Sequence, residues 1–323
     1  MYYLFHEGGD VCSHLAAEYY FATEKKLDDT LFVLWRSRPT LVVGRFQNTH
    51  EEINLRYVEE QGIDVVRRMS GGGTVYQDGG GLQFAFIDYG ADRGIDFTTY
   101  LTPVVQALRA EGVDASFNGR NDLVVGGRKF SGNAQYRLKG TTVHHGTLLF
   151  DTDIAAMVAA TAVDPYKIES KSIKSVRERV VNLREYLPHM TRDDFRDRMA
   201  DAILGRKAVS MTLDAEDEAR IASITEEVFR PAAFRFGRNP RFDTTRIGRF
   251  VGGKVEVSLS VEKDVICAAS VSGDFFASCD TEVLVEALIG LPYRRDAVAE
   301  ALLPFEGAIY GVTVAELAEL IAG

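Results

Sequence analysis

The chain carries two adjacent arginines directly before three consecutive glycines, in the run RRMSGGGTVYQD at residues 67–78. An alternating apolar segment at residues 63–66 leads into the arginines, and an extended pattern resumes at residues 82–89. Adjacent glycines weaken a strand, so they are costly as a plain spacer. Without a Cβ, their N–H groups can approach an anion closely, while the arginines neutralise its charge. The run therefore predicts an anion-binding turn in a hairpin, and a tight turn with two solvated arginines is the alternative.

This glycine run matches neither of the common nucleotide-binding loops. The spacing G-x-x-x-x-G-K-[ST] occurs nowhere in the sequence. Gly71 and Gly73 are followed by Tyr76, where the dinucleotide-binding fingerprint requires a glycine. If a nucleotide binds here, a different fold must hold it.

The composition is typical of a soluble protein with room for one large and one small domain. Of the 323 residues, 46% are hydrophobic and 26% are charged, and no apolar run is long enough for a membrane span. The first residues show no basic segment and no cleavage signal, so we expect a cytoplasmic protein with no membrane partner. The net charge of −10 argues against nucleic acid as a partner. Residues 166–184 oppose this average with six cationic and two anionic side chains, which form either a solvated surface or a docking surface for something negative.

Neither the cysteines nor the histidines predict a metal site. Cys12, Cys267 and Cys279 lie far apart, as expected for a reducing compartment. Cys267 falls in an alternating apolar pattern, which predicts a strand residue that faces the core. His144 and His145 lack a third ligand at zinc spacing, so we interpret them as a pair in the core or at an edge.

Local signals predict helices and strands along the first two thirds of the chain. Asp10 predicts a capped helix over residues 11–25. Two apolar segments, residues 31–35 and 41–45, predict paired strands with a turn at residues 38–39.

A second glycine turn lies in the run NDLVVGGRKFSGNAQ at residues 121–135, which predicts a hairpin turned at Gly126 and Gly127. Lys129 follows this turn, and an ordinary exposed strand lysine is one interpretation of it.

The last third of the chain predicts a separate small domain. Residues 230–246 place prolines and a glycine among polar residues, which predicts a linker. Beyond them, residues 255–261 and 265–271 alternate between apolar and polar and predict a hairpin. We therefore expect a catalytic domain over residues 1–246 and an accessory domain over residues 247–323, which we interpret as a lid.

Four motifs follow one another along the chain: RRMSGGGTVYQD, GRNDLVVGGRKFSGNAQ, HHGTLLFDTD and SKSIKSVRERVVNL. In order and spacing they resemble lipoate–protein ligase A, and the tail that begins GGKVEVSLSVEKD is similar to that family's accessory domain. The resemblance covers nearly the whole chain. It implies an α+β fold: a biotin/lipoate-ligase-type catalytic domain with mixed β-sheets flanked by helices, plus a small α/β C-terminal domain.

The resemblance implies an ATP-dependent reaction in two steps. The carboxylate of lipoate attacks the α-phosphate of ATP to give lipoyl-AMP and pyrophosphate. A lysine of an acceptor then takes the lipoyl group and releases AMP. The implied acceptors are lipoyl domains of 2-oxoacid dehydrogenase E2 subunits and the H protein of glycine cleavage, and we expect the enzyme to be a monomer.

Site residues carry over from the family by position. Lys129 is the implied catalytic residue, and Asp122, after Asn121, is a candidate Mg²⁺ contact. The implied ATP-binding residues are Arg67, Gly72, Gly73, Thr74, Val75 and Lys129. The implied lipoate-binding residues are Gly44, Arg45, Arg67, Ser70, Gly71, Lys129 and Gly146. The positive charges would stabilise the transition state in which carboxylate and phosphate meet.

Two positions depart from the family pattern. Gln77 stands where the family usually has histidine, and Gly80-Gly81 stand where it usually has G-N. Glutamine can donate and accept hydrogen bonds but cannot titrate near neutrality, so we interpret Gln77 as structural.

Two other functions stay open. A lipoyl or octanoyl transferase of the same fold would use no ATP and would need a nucleophilic cysteine, yet none lies between Asp28 and Ile266. A non-catalytic sensor would bind lipoate or its adenylate without turning it over.

Overall fold

The computed structural model describes residues 1–6, 10–90, 94–119, 121–161, 176, 178–205, 208–237 and 242–323. Most of the cationic run at residues 166–184 lies outside these ranges, so its docking role stays a prediction. Two compact units divide the chain. Unit 1 comprises Met1–Val43, His50–Arg68 and Thr74–Arg235, and unit 2 comprises Gly44–Thr49, Met69–Gly73 and Phe236–Gly323.

The main sheet of unit 1 contains eight strands among the described residues, in the order β11-β1-β2-β6-β10-β9-β8-β7. Its strands are β1 (Tyr2–Phe5), β2 (Leu31–Trp35), β6 (Gly81–Asp88), β7 (Ser116–Phe117), β8 (Asp122–Val125), β9 (Arg128–Leu138), β10 (Thr141–Leu149) and β11 (Val209–Ser210). Pairing is parallel between β1 and β2 and antiparallel between β2 and β6. The predicted hairpin of β8 and β9 is confirmed, with positive φ at both Gly126 and Gly127.

A second sheet of unit 1 has the order β4-β3-β5, built from β3 (Thr40–Val43), β4 (Asp64–Arg67) and β5 (Val75–Gln77). The predicted pairing of β2 with β3 is wrong, because the two strands lie in different sheets. Every residue of β2 and of β3 is buried, so each strand needs neighbours that a local turn cannot supply. The hairpin predicted around the glycine run is also wrong: β4 and β5 both pair with β3 and not with each other.

Helices flank these sheets. Among the described residues from 11 to 236, the α-helices are α1 (Val11–Thr23), α2 (Thr49–Glu52), α3 (Leu55–Glu60), α4 (Phe97–Ala110), α5 (Ile154–Thr161), α6 (Arg192–Leu204), α7 (Ala215–Ile224) and α8 (Ala232–Phe236). Asp10 caps α1 as predicted, because its side chain accepts a hydrogen bond from the N–H of Ser13. Within the described ranges, no helix is both long and apolar enough to cross a membrane.

Unit 2 contains the sheet β12-β13-β14, formed by β12 (Thr244–Phe250), β13 (Gly253–Glu262) and β14 (Val265–Gly273). The helices α9 (Thr281–Leu288), α10 (Arg295–Leu302) and α11 (Val314–Ala322) follow. The predicted hairpin of β13 and β14 is confirmed. Phe46, from the segment Gly44–Thr49 of unit 2, belongs to the same hydrophobic core as Phe275. The domain boundary at residue 246 stays a prediction, and α8 and the start of β12 both fall in the predicted linker.

The prediction that Cys267 faces the core is wrong, because its side chain is exposed. The register of β14 shifts at this point: Ser260 pairs with Ala268, whereas Val261 pairs with Ile266. Cys267 is therefore the extra residue of a β-bulge, which turns its side chain away from the buried face.

Candidate functional site

A cavity of about 390 Å³ opens in unit 1 beside the first residues of β9. Its lining residues are Glu52, Thr74, Val75, Tyr76, Lys129, Gly132, Thr147, Leu149, Met157, Val158, Thr161, Val176 and Val180. Most of the wall is apolar, and the ammonium group of Lys129 adds a positive charge. An apolar pocket with a few polar groups is the usual form of a small-molecule site.

Two hydrogen bonds fix the backbone of Lys129. Its N–H donates to the carbonyl of Arg179 at 2.7 Å, and its own carbonyl accepts from the N–H of Val181 at 2.9 Å. Its Nζ lies 2.7 Å from Oδ1 of Asp122, and the lysine side chain remains 41% exposed. A Cβ added at Gly132 would lie 3.2 Å from Nζ and 3.3 Å from Cε of Lys129. The lysine side chain therefore runs across the face of Gly132, where the methyl group of any larger residue would crowd it.

The strand before Lys129 is fixed by two asparagines. The side chain of Asn121 donates to the carbonyl of Asn133 at 2.7 Å, and the side chain of Asn133 donates to the carbonyl of Asn121 at 2.9 Å. The N–H of Asn133 also donates to the carbonyl of Asn121, at 3.0 Å. Because Asp122 follows Asn121 and pairs with Gly132 in the register of β8 and β9, this clamp sets the position of its carboxylate.

The donors near Lys129 fit a metal that arrives with a nucleotide. Among the described residues, no group of three or more histidine, cysteine or acidic side chains could hold a metal ion by itself. Mg²⁺ typically takes one or two carboxylates together with substrate phosphates and water. Asp122 could supply one such carboxylate, but in this structure it pairs with Lys129. Its role as an Mg²⁺ contact stays a prediction.

The glycine run belongs to unit 2 and is tightly packed there. The N–H of Gly72 donates to the carbonyl of Phe275 at 3.0 Å, so this donor already has a protein partner. A Cβ on Gly71 would lie 2.1 Å from the carbonyl oxygen of Phe275. A Cβ on Gly44 would lie 1.9 Å from the carbonyl oxygen of Gly72. These glycines allow backbones to approach each other, which differs from the predicted open anion-binding turn.

Arg45 lies in the same part of unit 2. Its N–H donates to the carbonyl of Ser70 at 2.8 Å, and its guanidinium pairs with Asp280 at 2.9 Å. Gly44, Arg45, Ser70, Gly71 and Gly72, which the sequence assigned to substrates, are thus brought together in one part of unit 2.

Both arginines before the glycine run are buried, with 5% of each exposed, so the alternative of two solvated arginines is wrong. Nε of Arg67 donates to the carbonyl of Phe234 at 2.7 Å, and Nη1 of Arg68 donates to the carbonyl of Val42 at 2.9 Å. Burial, with the nearby charge of Arg67, lowers the pKa of the Arg68 guanidinium to about 10. Neither arginine is among the residues that line the cavity.

A buried contact between a histidine and a carboxylate escaped the sequence prediction. Nδ1 of His145 lies 2.8 Å from Oε2 of Glu18, and these two side chains are 8% and 1% exposed. The sequence offered an alternating strand for His145 and a helix for Glu18, but no signal that joined them. His144 is fully buried beside the ring of Tyr100, and burial holds its pKa well below its usual value. Both histidines are buried, but the prediction of a satisfied pair holds only for His145, because neither ring nitrogen of His144 has a hydrogen-bond partner among the described residues.

Gly146 and Asp78 have packing roles that the motifs did not reveal. A Cβ on Gly146 would lie 2.0 Å from Oδ1 of Asn133, so glycine leaves room for the asparagine clamp. Asp78 accepts hydrogen bonds from the N–H groups of Gly80 and Asp153, at 2.9 and 2.8 Å. It therefore ties the turn after β5 to the start of α5. Gln77 is buried beside Ser37, whose hydroxyl donates to it at 3.4 Å.

Of the predicted site residues, Thr74, Val75 and Lys129 line the cavity of unit 1. Arg67 and Gly146 belong to unit 1 but do not line that cavity. Gly73 belongs to unit 2 with the rest of the glycine run. The substrate contacts assigned to all these residues stay predictions.

Two family models match the chain. Residues 10–204 match the lipoyl protein ligase A/B catalytic domain, and residues 239–321 match the bacterial lipoate protein ligase C-terminus. The lipoate-protein ligase LplJ of Bacillus subtilis is 40% identical over 296 residues, which cover 90% of this chain and 89% of the relative.

Two solved structures share the fold. LipL1 of P. falciparum, solved in complex with lipoate, superposes with a TM-score of 0.79 at 20% identity and covers 93% of each chain. A bipartite lipoate protein ligase from Thermoplasma acidophilum, described with its E2 lipoyl domain, has a TM-score of 0.66 at 25% identity. That match covers 75% of this chain and 98% of the archaeal one. The α+β fold with mixed sheets flanked by helices is thereby confirmed.

Proposed function

This chain belongs to the lipoate–protein ligase family, and from that membership we propose that it joins lipoate to a lysine of an acceptor domain at the expense of ATP. In the first step, a carboxylate oxygen of lipoate bonds to the α-phosphorus of ATP and pyrophosphate leaves. In the second, the acceptor amine attacks the lipoyl carbonyl, loses a proton, and AMP leaves. Acceptors of the proposed class are E2 lipoyl domains and the glycine cleavage H protein.

The observation that carries this proposal is the cavity that Lys129 and residues 74–76 line together. The reaction brings two anions together, and their repulsion falls when a fixed positive charge lies between them. Lys129 supplies that charge in a largely apolar wall, where electrostatic interactions are stronger than in water. Mg²⁺ would supply further charge on the phosphates when bound, and Asp122 is the contact that the family resemblance implies for it.

The same wall suits the uncharged parts of the substrates. Val75, Leu149 and Val158 offer the apolar surface that an aliphatic chain or a purine ring needs. Thr74 and Thr147 add hydroxyl groups that can orient polar atoms.

The cysteines argue against an acyl-enzyme transferase. Burial raises the pKa of the Cys12 thiol to about 11, and burial also raises the pKa of Cys279. No cysteine is among the residues that line the cavity in the described part of the chain. A variant with all three cysteines changed to serine should keep its ligase activity, provided that its folding is checked at the buried position 12.

A transfer assay tests the proposal. The protein is incubated with an unmodified E2 lipoyl domain, lipoate, ATP and Mg²⁺, and the intact mass of the acceptor is measured. We expect a gain of one lipoyl group that requires ATP and disappears when the acceptor lysine is changed to arginine. Transfer from an acylated carrier protein without ATP would instead establish a transferase. Binding of lipoate without any transfer would establish a sensor.

A further inference from the structure

We propose that Asp122 is a positioning residue for Lys129, which it holds in place before the substrates bind. This inference rests on the proposed function and deepens it. The pair is short, with 2.7 Å between Oδ1 of Asp122 and Nζ of Lys129. It leaves the ammonium across Gly132 in the wall of the cavity.

The two partners differ in how far the fold restricts them. Asp122 has a short side chain on a strand that the Asn121–Asn133 clamp fixes. Lys129 has a fixed backbone, but its flexible four-carbon stem is 41% exposed and would otherwise sample many rotamers. A carboxylate that is already in place selects the rotamer that points the ammonium across Gly132. The cost of ordering the lysine is then met during folding and not during the reaction.

The ion pair between Asp122 and Lys129 also weakens the positive charge that the reaction uses. A carboxylate beside the ammonium partly neutralises the charge that the reaction requires. A carboxylate beside the lysine is understandable if placing the charge matters more than its full strength. A carboxylate that served as an Mg²⁺ contact would have no need of the lysine, so the two roles predict different behaviour.

A double-mutant cycle separates these roles. The rates of lipoate-dependent exchange of pyrophosphate into ATP are compared for the parent, Asp122→Asn, Lys129→Ala and the double variant. If Asp122 acts through the lysine, Asp122→Asn should lower kcat about tenfold or more with little change in the KM for ATP or the Mg²⁺ requirement. In the Lys129→Ala background, the same change should cost less than about twofold more. Asp122→Glu should recover part of the rate, because it restores the carboxylate.

Glu185→Gln is the matched control. Glu185 pairs with Arg128, the neighbour of Lys129 on β9, at 2.9 Å, so this variant removes a similar ion pair from the same strand. It should leave the exchange rate unchanged. Losses that add fully in the double variant, or a raised Mg²⁺ requirement in Asp122→Asn, would overturn the inference in favour of a metal contact.

A second measurement does not depend on ligase activity. Trace acetylation with acetic anhydride, resolved by peptide mass spectrometry, measures the reactivity of each lysine amine relative to that of Lys26 in the same molecule. Asp122→Asn should raise the relative labelling of Lys129 about threefold or more, since the neighbouring carboxylate no longer holds the ammonium. Unchanged labelling together with an unchanged exchange rate would show that the pair positions nothing. Raised labelling in a protein that never catalyses exchange would leave the positioning intact and refute the proposed function.

Discussion

Lys129 places a positive charge in an apolar cavity wall, and its surroundings give that charge a fixed location. The sequence singled this lysine out because it follows a glycine turn in a motif that resembles a ligase. The resemblance also implied a possible Mg²⁺ contact at Asp122, which stays a prediction, and the structure places this carboxylate beside the lysine. A side chain's nearest partner depends on the strand register, which a motif does not contain.

Replacing Lys129 with alanine should lower the rate of lipoyl-adenylate formation at least about a hundredfold, because a preorganised electrostatic donor is lost. The matched control is Lys26→Ala, since Lys26 is an exposed lysine that bonds a carbonyl elsewhere on unit 1. Single-turnover formation of the adenylate measures both. A loss below tenfold for Lys129→Ala would mean that this lysine is an ordinary surface residue.

A buried pair of histidines, His6 and His14, lies in unit 1. Nε2 of His14 lies 3.1 Å from the carbonyl of Arg36, and Nδ1 of His14 lies 3.1 Å from Nδ1 of His6. Neutral His14 must therefore donate from Nε2 and accept at Nδ1, where His6 donates. Protonation would put two donors face to face. Burial, with the charge of His6, accordingly lowers the pKa of His14 to about 3.

Acid should destabilise the protein through this pair. The folded pKa of His14 lies below its unfolded value near 6.5, so its contribution is fully present above about pH 6.5 and is lost as the pH falls towards 3. As the pH falls below 6.5, the loss of unfolding free energy per pH unit should grow towards a limit of about 1.4 kcal/mol for such a histidine. Denaturant titrations of His14→Gln should show a shallower slope, whereas His50→Gln, at an exposed position, should keep the parent's slope. An unchanged slope in His14→Gln would contradict this origin.

Elements with strong local signals were predicted well. The helix capped by Asp10 and the hairpin turned at Gly126 and Gly127 depend on residues within a few positions of one another. The arrangement of β2, β3 and β5 could not be predicted in this way. Their partners are chosen by burial on both faces of two separate sheets, which is a property of the whole unit.

Two glycines of the run, Gly71 and Gly73, should respond differently to the same substitution. A Cβ at Gly71 would overlap the carbonyl of Phe275, whereas nothing lies within 4 Å of a Cβ at Gly73. Gly71→Ala should destabilise the protein by about 1–3 kcal/mol, the usual cost of forcing atoms into a packed site. Gly73→Ala should cost far less, and thermal unfolding monitored by circular dichroism measures both variants. Equal losses would contradict the close approach seen at Gly71.

Unit 2 is assembled from three segments that lie far apart in the sequence. Phe46 stacks on Phe275 with 5.0 Å between ring centroids, and the N–H of Gly72 bonds to the carbonyl of the same residue. A boundary drawn along the sequence cannot show this, because composition changes at the linker and carries no information about residues 44–49 and 69–73. The expected C-terminal domain is therefore part of a larger unit that includes predicted substrate contacts.

Truncation after residue 246 should affect the two half-reactions unequally. It removes Phe275, so Phe46 and the glycine run lose their packing partner. Adenylate formation should then be mostly lost, whereas transfer from preformed lipoyl-adenylate should persist, since the cavity around Lys129 lies in unit 1. Both steps are followed by the mass of the acceptor domain. Equal loss of the two steps would show that residues 247–323 have a purely structural role.

In the proposed reaction, ATP activates lipoate before any acceptor is involved. Exchange of labelled pyrophosphate into ATP, measured without an acceptor protein, tests this directly. We predict exchange that requires both lipoate and Mg²⁺ and that falls at least about a hundredfold in Lys129→Ala. Absence of exchange in a folded protein that still modifies its acceptor would contradict the claim.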